Sequence, residues 1–598
     1  MVKALVTAIV CIFMQLICYS SAVEDSVVPE AKEYGDVILT TALGKVRGTY
    51  LTSSSGRTFY AFRGIPYAKP PVGDLRFKAP QPIDQWNGIL NATQDGPMCP
   101  QPTIEPKDVS EDCLFLNIYS HALSTEKNGE VRTPVIVYLH PGGFYSLSGQ
   151  SKNFAGPKYL MDRNIVLVTL NYRLGSLGFL STGTPEAPGN AGFKDQVMAL
   201  KWVKLHIARF GGDPNSITLL GYSAGAVSAT LHMVSPMSRH LFHKAIIMSG
   251  SSTAQGPVVS DQLHLAKRQA RLLNCTDESI REMMDCLSTK DAIDFGNTLV
   301  DMFEFGGGPI ALFAPVVEPD FGQERFLTDD PTKLFQRGRF MRIPVIAGIT
   351  KDEFVGPAIY TLRNATLRNK LDSDLNVWAP VNFLYEKNSK RSNEISTKLR
   401  NFYLGDSPLS LNGSLDGLAK LYADAIIGFP MHRFVHLAAR FTRVYQYRFS
   451  YQGRFSHTYF PKKDTPYGVV HHDDLLYLLT GPYIAPIFRE TDPERITVER
   501  LTRMWASFAY RGDPNKPADE YLRDIRWRQF GFRREQYLDI GRDLVMKEHL
   551  YSDRYSFWKD LFPLQWGNRR NRLRDSSSEE SNEDYPEPDS SEEDRYYS

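Results

Sequence analysis

Short, continuous apolar runs recur along this chain, separated by helical stretches. Val135-Ile136-Val137-Tyr138-Leu139, Ile165-Val166-Leu167-Val168-Thr169-Leu170, Ile217-Thr218-Leu219-Leu220, Ala245-Ile246-Ile247-Met248 and Pro344-Val345-Ile346-Ala347 are apolar on both faces, as buried strands are. Residues 197–207, with Leu200, Trp202 and Val203, read as a helix just before the third run, and residues 226–231 as one just after it. Strands alternating with helices predict an α/β fold with a mostly parallel central sheet covered by helices on both faces. No linker, repeat or low-complexity break interrupts residues 37–563.

The two ends differ from this pattern. Lys3, an apolar stretch from Ala4 to Tyr19, and Ser20-Ser21-Ala22 read as a secretory signal peptide over residues 1–22. The stretch is short for a membrane anchor, and no basic stop-transfer flank follows it. At the other end, Arg569, Arg570, Arg572 and Arg574 precede a tail of Ser, Asp, Glu and Tyr, so residues 567–598 are expected to be disordered. The Arg569-Arg570-Asn571-Arg572 run also reads as a candidate proprotein cleavage site. Tyr585, Tyr596 and Tyr597 sit in the acidic stretch and are candidates for sulfation and for binding a basic partner. One folded domain is expected over residues 23–566.

Charge narrows the partners. With 69 Lys and Arg against 68 Asp and Glu, the net charge of +1 gives no reason to expect nucleic acid. Removal of the signal takes Cys11 and Cys18 and leaves Cys99, Cys113, Cys275 and Cys286, an even number that suits an oxidising compartment. Three pairings are possible. Cys99–Cys113 and Cys275–Cys286 are favoured because both close short local loops, and no C-x-x-C or His-rich spacing supports zinc. Sequons at Asn91, Asn364 and Asn412 fit a glycosylated surface; Asn274 heads a fourth, whose middle residue is Cys275.

The candidate chemistry centres on Gly221-Tyr222-Ser223-Ala224-Gly225, where a strand runs into a helix. A sharp strand-to-helix turn exposes the serine, the glycines let neighbouring segments pack close, and the helix N-terminus favours developing negative charge. A serine hydroxyl needs a base, and the base needs an orienting group. In this elbow arrangement the acid and then the histidine follow the serine, each after a later strand. Glu353 follows the strand at 343–349, and His471 lies in Val469-Val470-His471-His472-Asp473-Asp474. On spacing alone Asp352 competes with Glu353, and His472 with His471. The His-His-Asp-Asp run also resembles a metal site, but adjacent side chains diverge and no third ligand cluster accompanies it. The oxyanion hole would take N–H groups from Ala224 and from Gly142 and Gly143 in His140-Pro141-Gly142-Gly143-Phe144; Pro141 has none to give.

Together these residues resemble the type-B carboxylesterase and cholinesterase family. Residues 210–225 match its nucleophile signature and Glu111-Asp112-Cys113-Leu114-Phe115-Leu116-Asn117-Ile118-Tyr119 its second signature. Phe62-Arg63-Gly64-Ile65-Pro66-Tyr67-Ala68, Asn171-Tyr172-Arg173, Ala187-Pro188-Gly189-Asn190, Asp195-Gln196 and Ser249-Gly250 extend the likeness over residues 37–563. The resemblance implies an α/β-hydrolase domain with a gorge leading to Ser223. It also implies Glu353 as the acid, His471 as the base, and the two local disulfides.

Three departures limit the transfer. Pro141 replaces the first glycine of the family's Gly-Gly-Gly run. Tyr222 stands where cholinesterases carry Glu, and the Cys99–Cys113 loop lacks the tryptophan that stacks on choline, so cholinesterase activity is not expected. The chain is most similar to secreted insect-type carboxylesterases, although the Gln usual before the serine in juvenile hormone esterases is absent. The expectation is a secreted serine hydrolase of small-molecule carboxylic esters, with no metal, no organic cofactor and no membrane span. Tyr145, Phe303 and Phe305 are candidate gorge residues. The rival reading is a catalytically idle adhesion or matrix protein, which the acidic tail keeps open.

Overall fold

The computed structural model describes residues 35–564, apart from 103–105, 125–129, 153–154, 482–484, 516–518 and 523–524. The proposed signal, both expected domain boundaries and the acidic tail lie outside the described residues. Two compact units result, Met1–Tyr555 and Ser556–Ser598. The described part of the second contains the end of a helix, Ser552–Leu561, and Trp558 of that helix stacks on Phe562 just past its end, with ring centres 5.6 Å apart.

Thirteen strands form the sheet of the first unit: β1 (Val37–Thr41), β2 (Gly44–Thr52), β3 (Thr58–Pro66), β4 (Ile89–Asn91), β5 (Phe115–Ser120), β6 (Thr133–Leu139), β7 (Val166–Leu170), β8 (Gly212–Tyr222), β9 (Lys244–Met248), β10 (Val345–Thr350), β11 (Val444–Phe449), β12 (Gln536–Ile540) and β13 (Leu544–Glu548). Their order is β1-β2-β3-β5-β7-β6-β8-β9-β10-β11-β12-β13, with β4 beside β2. Every ladder from β7 through β12 is parallel. The ladders β1–β2, β2–β3, β3–β5, β5–β7 and β12–β13 are antiparallel.

The architecture is therefore α/β, with a large, mostly parallel mixed sheet and surrounding helices. The antiparallel flank was not expected from the apolar runs. The outer strands β1 to β3 are partly exposed and carry interspersed polar residues, as in Gly-Lys-Val-Arg-Gly-Thr-Tyr-Leu-Thr of β2, which breaks up the apolar signal. Two elements also begin earlier than the sequence suggests. β8 starts at Gly212, and the preceding helix spans Ala191–His206, launched from Asn190 in the left-handed region at φ 60°.

Side-chain alternation sends the two faces of the central strands to different partners. Ile136 and Tyr138 on β6, Leu220 and Tyr222 on β8, and Ile246 and Met248 on β9 join Val498, Leu501, Met504 and Trp505 of the helix Arg495–Arg511 in one buried core. Gly221 points the other way, where a Cβ would lie 2.1 Å from the Gly225 carbonyl of the helix Ala224–Val234. Glycine at 221 thus lets that helix sit against the sheet. A smaller apolar cluster gathers Leu273, Met283, Met284 and Leu287 around the Cys275–Cys286 bridge.

Candidate active site

The elbow forms because one residue takes a conformation its neighbours enforce. Ser223 has φ 53° and ψ −117° between β8 and the helix Ala224–Val234. Its N–H donates to the Met248 carbonyl on β9 at 2.8 Å, and its carbonyl accepts the Ala226 and Val227 N–H groups at 2.9 Å. Positive φ in a serine is costly and persists only where surrounding bonds hold it. Gly225 completes the turn: a Cβ there would meet the Leu139 carbonyl at 2.0 Å. The end of β6 and the first turn of the helix are thereby brought together.

Three distant segments converge on Ser223. Its hydroxyl donates to His471 Nε2 at 2.9 Å, and His471 Nδ1–H donates to Glu353 Oε2 at 2.5 Å. Glu353 follows β10 by three residues, and His471 lies in a turn beyond β11. Both side chains are buried, with Glu353 2% exposed. Glu353 Oε1 accepts two further bonds, from Ser249 Oγ at 2.7 Å and from the Thr350 N–H at 2.9 Å. Phe354, at φ 48°, stacks on the imidazole with ring centres 4.3 Å apart.

The structure separates the residues that spacing left tied. Asp352 turns away from the imidazole and accepts the Val469 N–H at 2.9 Å. The ring bonded to Ser223 Oγ is that of His471; His472 packs against it, with ring centres 4.2 Å apart. Burial, with help from His471 and His457, holds its ring well below the usual histidine pKa. Asp473 serves the turn itself, accepting the Val470 N–H and the Ser456 hydroxyl, each at 2.9 Å. The His-His-Asp-Asp run is therefore divided between different partners. A group whose donor atoms could hold a metal lies on other segments, at His432, His436 and Glu535.

Gly142 and Gly143 follow β6 with φ of 112° and 61°, conformations open to glycine at little cost. A Cβ on Gly142 would lie 1.9 Å from the Ser146 carbonyl. Among the described residues, the N–H groups of Gly142, Gly143 and Ala224 donate to nothing within the chain. The loop is braced from behind by His140, which stacks on Tyr172 and bonds the Pro141 carbonyl through Nδ1 at 2.7 Å. Burial pushes the His140 pKa down to about 4, so the ring is neutral. No positive charge therefore sits on this ring behind the glycines.

Other candidate residues lie on several parts of the fold. Cys99 is bonded to Cys113 and Cys275 to Cys286. Asn91, Asn274, Asn364 and Asn412 are all exposed. Tyr145, Phe303 and Phe305 are buried; Tyr145 meets Phe303 edge to face and covers Gly143, whereas Phe305 packs on Trp378. Sequence reasoning assigned no role to Ser249, Phe354 or His140. The Ser249-Gly250 pair was the available signal, since a Cβ on Gly250 would lie 2.3 Å from the Ser223 carbonyl.

Comparison with known proteins agrees with this geometry. The chain is 35% identical over 525 residues to juvenile hormone esterase of Tribolium castaneum, covering 84% of this chain and 87% of that one. It is 37% identical over 494 residues to esterase FE4 of Myzus persicae, covering 80% and 85%. The structure of juvenile hormone esterase from Manduca sexta, with OTFP covalently attached, superposes with a TM-score of 0.78 at 28% identity, over 89% of this chain and all of that one. Residues 35–558 match the carboxylesterase family over the same stretch that builds the sheet and the Ser223 elbow. A strand-to-helix serine, its histidine and carboxylate partners and this breadth of likeness agree: the chain is a carboxylic ester hydrolase and belongs to the carboxylesterase family.

Proposed function

We propose that the protein is a secreted serine esterase that cleaves small-molecule carboxylic esters through an acyl-enzyme. The observation that carries this reading is the continuous bonded path from Ser223 Oγ through His471 to Glu353, at 2.9 and 2.5 Å. His471 takes the serine proton as Oγ attacks the ester carbonyl, and Glu353 orients the ring and stabilises its positive charge. The carbonyl oxygen becomes an oxyanion, received by the N–H groups of Gly142, Gly143 and Ala224. His471 then returns the proton to the departing alcohol, leaving the acyl group on Ser223. Water attacks that ester with His471 again as base, releasing the acid and restoring the hydroxyl. No metal or organic cofactor enters these steps.

Export is supported by the signal-like first 22 residues, two disulfides and four exposed sequons. Glycans at Asn91, Asn274, Asn364 and Asn412, and a sulfated tail that binds a basic partner, belong to the same proposal. Fluorophosphonate labelling with peptide mapping tests the catalytic part. Label on Ser223, and its loss together with p-nitrophenyl ester turnover in Ser223→Ala, is expected. A folded wild-type chain that takes no label would favour the idle adhesion or matrix reading instead.

A further inference from the structure

Behind the candidate triad lies a buried polar group that the mechanism above does not use. Tyr222 precedes Ser223 and is fully buried, and its phenol oxygen accepts the His472 N–H at 2.8 Å. His472 has φ 81°, a positive value uncommon in residues other than glycine. It immediately follows His471, so its backbone sets the direction in which the imidazole leaves the turn. The Tyr222 ring also lies against the His471 ring, with centres 5.3 Å apart.

A buried carboxyl lies beside the phenol. Asp474, completely buried, accepts the Tyr447 hydroxyl at Oδ2 at 3.2 Å, and its charge bears on Tyr222 as well. Tyr447 stands on β11. The groups facing Asp474 are Tyr138 from β6, Tyr222, Tyr447 and Glu353, with the His471 and His472 rings against Tyr222. Burial first, and the nearby Glu353 second, raise the Asp474 pKa to about 7.

We propose that Tyr222, backed by Asp474, is a positioning residue for His471: it ties the left-handed turn after the histidine to the strand end that carries Ser223. The nucleophile and its base are then referenced to consecutive residues, Tyr222 at the end of β8 and Ser223 just beyond it, and the Ser223–His471 contact is held from both sides. This proposal rests on the reading of His471 as the general base. It also gives Tyr222 a role different from that of an acidic residue lining a gorge, because the phenol points into the core.

The test uses the full secreted chain and its Tyr222→Phe and Asp474→Asn variants. Fluorophosphonate labelling rates and p-nitrophenyl ester kinetics are measured from pH 5 to 9, alongside thermal melting. Tyr222→Phe removes one oxygen; kcat and the labelling rate should fall about tenfold while KM changes less than about twofold, as a loosened base predicts. Asp474→Asn, close in shape, removes a titrating charge near His471. A carboxylate favours the imidazolium and Asp474 is ionised mainly above pH 7, so the Asp474→Asn profile should fall below wild type there and run with it on the acid side. Label on wild type with an unchanged rate in Tyr222→Phe and superimposable profiles in Asp474→Asn overturns this proposal alone. A folded wild type that takes no label overturns the triad reading and this proposal with it. If Tyr222→Phe does not fold, the Asp474→Asn profile decides.

Discussion

Ser249 Oγ donates to Glu353 Oε1 at 2.7 Å, while Oε2 of the same carboxylate receives His471. Ser249 itself sits at φ 54° just past β9, the strand between the one that carries Ser223 and the one that leads to Glu353. Glu353 is thus held by the strand that separates it from Ser223 in the sheet. Ser249→Ala removes a bond to a charged acceptor worth about 1.5 kcal/mol. A loss of that size expressed in the transition state lowers kcat about tenfold. KM should hardly move; steady-state kinetics on a p-nitrophenyl ester checks both.

Two adjacent carboxylates offer an internal comparison. Glu353→Gln deprives the imidazolium of its counter-charge and should lower kcat about 10³–10⁴-fold, as removal of a triad carboxylate does elsewhere. Asp352 bonds only the Val469 backbone among the groups leading to His471. Asp352→Asn should cost less than about tenfold, consistent with one lost backbone bond. Equal losses in the two variants would mean that the assignment of Glu353 is wrong.

Buried histidines set a lower limit on the working pH. Burial lowers the pKa of His140 to about 4 and of His232 to about 3, from 6.5 when exposed. Between these values the unfolded chain binds protons that the folded chain refuses. Stability is therefore complete above pH 6.5 and falls as the pH drops below it, by about 1.4 kcal/mol per unit for each fully buried ring. Urea unfolding at pH 7.0 and 5.5 should show this loss. No change in midpoint would place protonated or exposed rings at these positions.

The parallel part of the sheet and the elbow were legible from residue pattern alone, because runs such as Val135 to Leu139 are apolar on both faces and glycine flanks Ser223. The hydrophobic pattern gave no comparable signal on the N-terminal side. β2 and β3 pair antiparallel and mix exposed with buried positions, and the longest apolar run in them is the short stretch Phe59 to Phe62. At the site, spacing could not choose between Asp352 and Glu353, since one residue of displacement reverses a side chain's direction. Ser249 and Tyr222 were harder still. Each acts on a segment more than a hundred residues away, and nothing local in either stretch records that meeting.

Gly142, Ser223 and Glu353 all stand just beyond the carboxyl ends of parallel strands, β6, β8 and β10, while the chain between Thr350 and Val444 winds through helices before returning. Helices grafted from a relative into that excursion should redirect which esters are admitted while the bond-breaking apparatus carries on intact beneath.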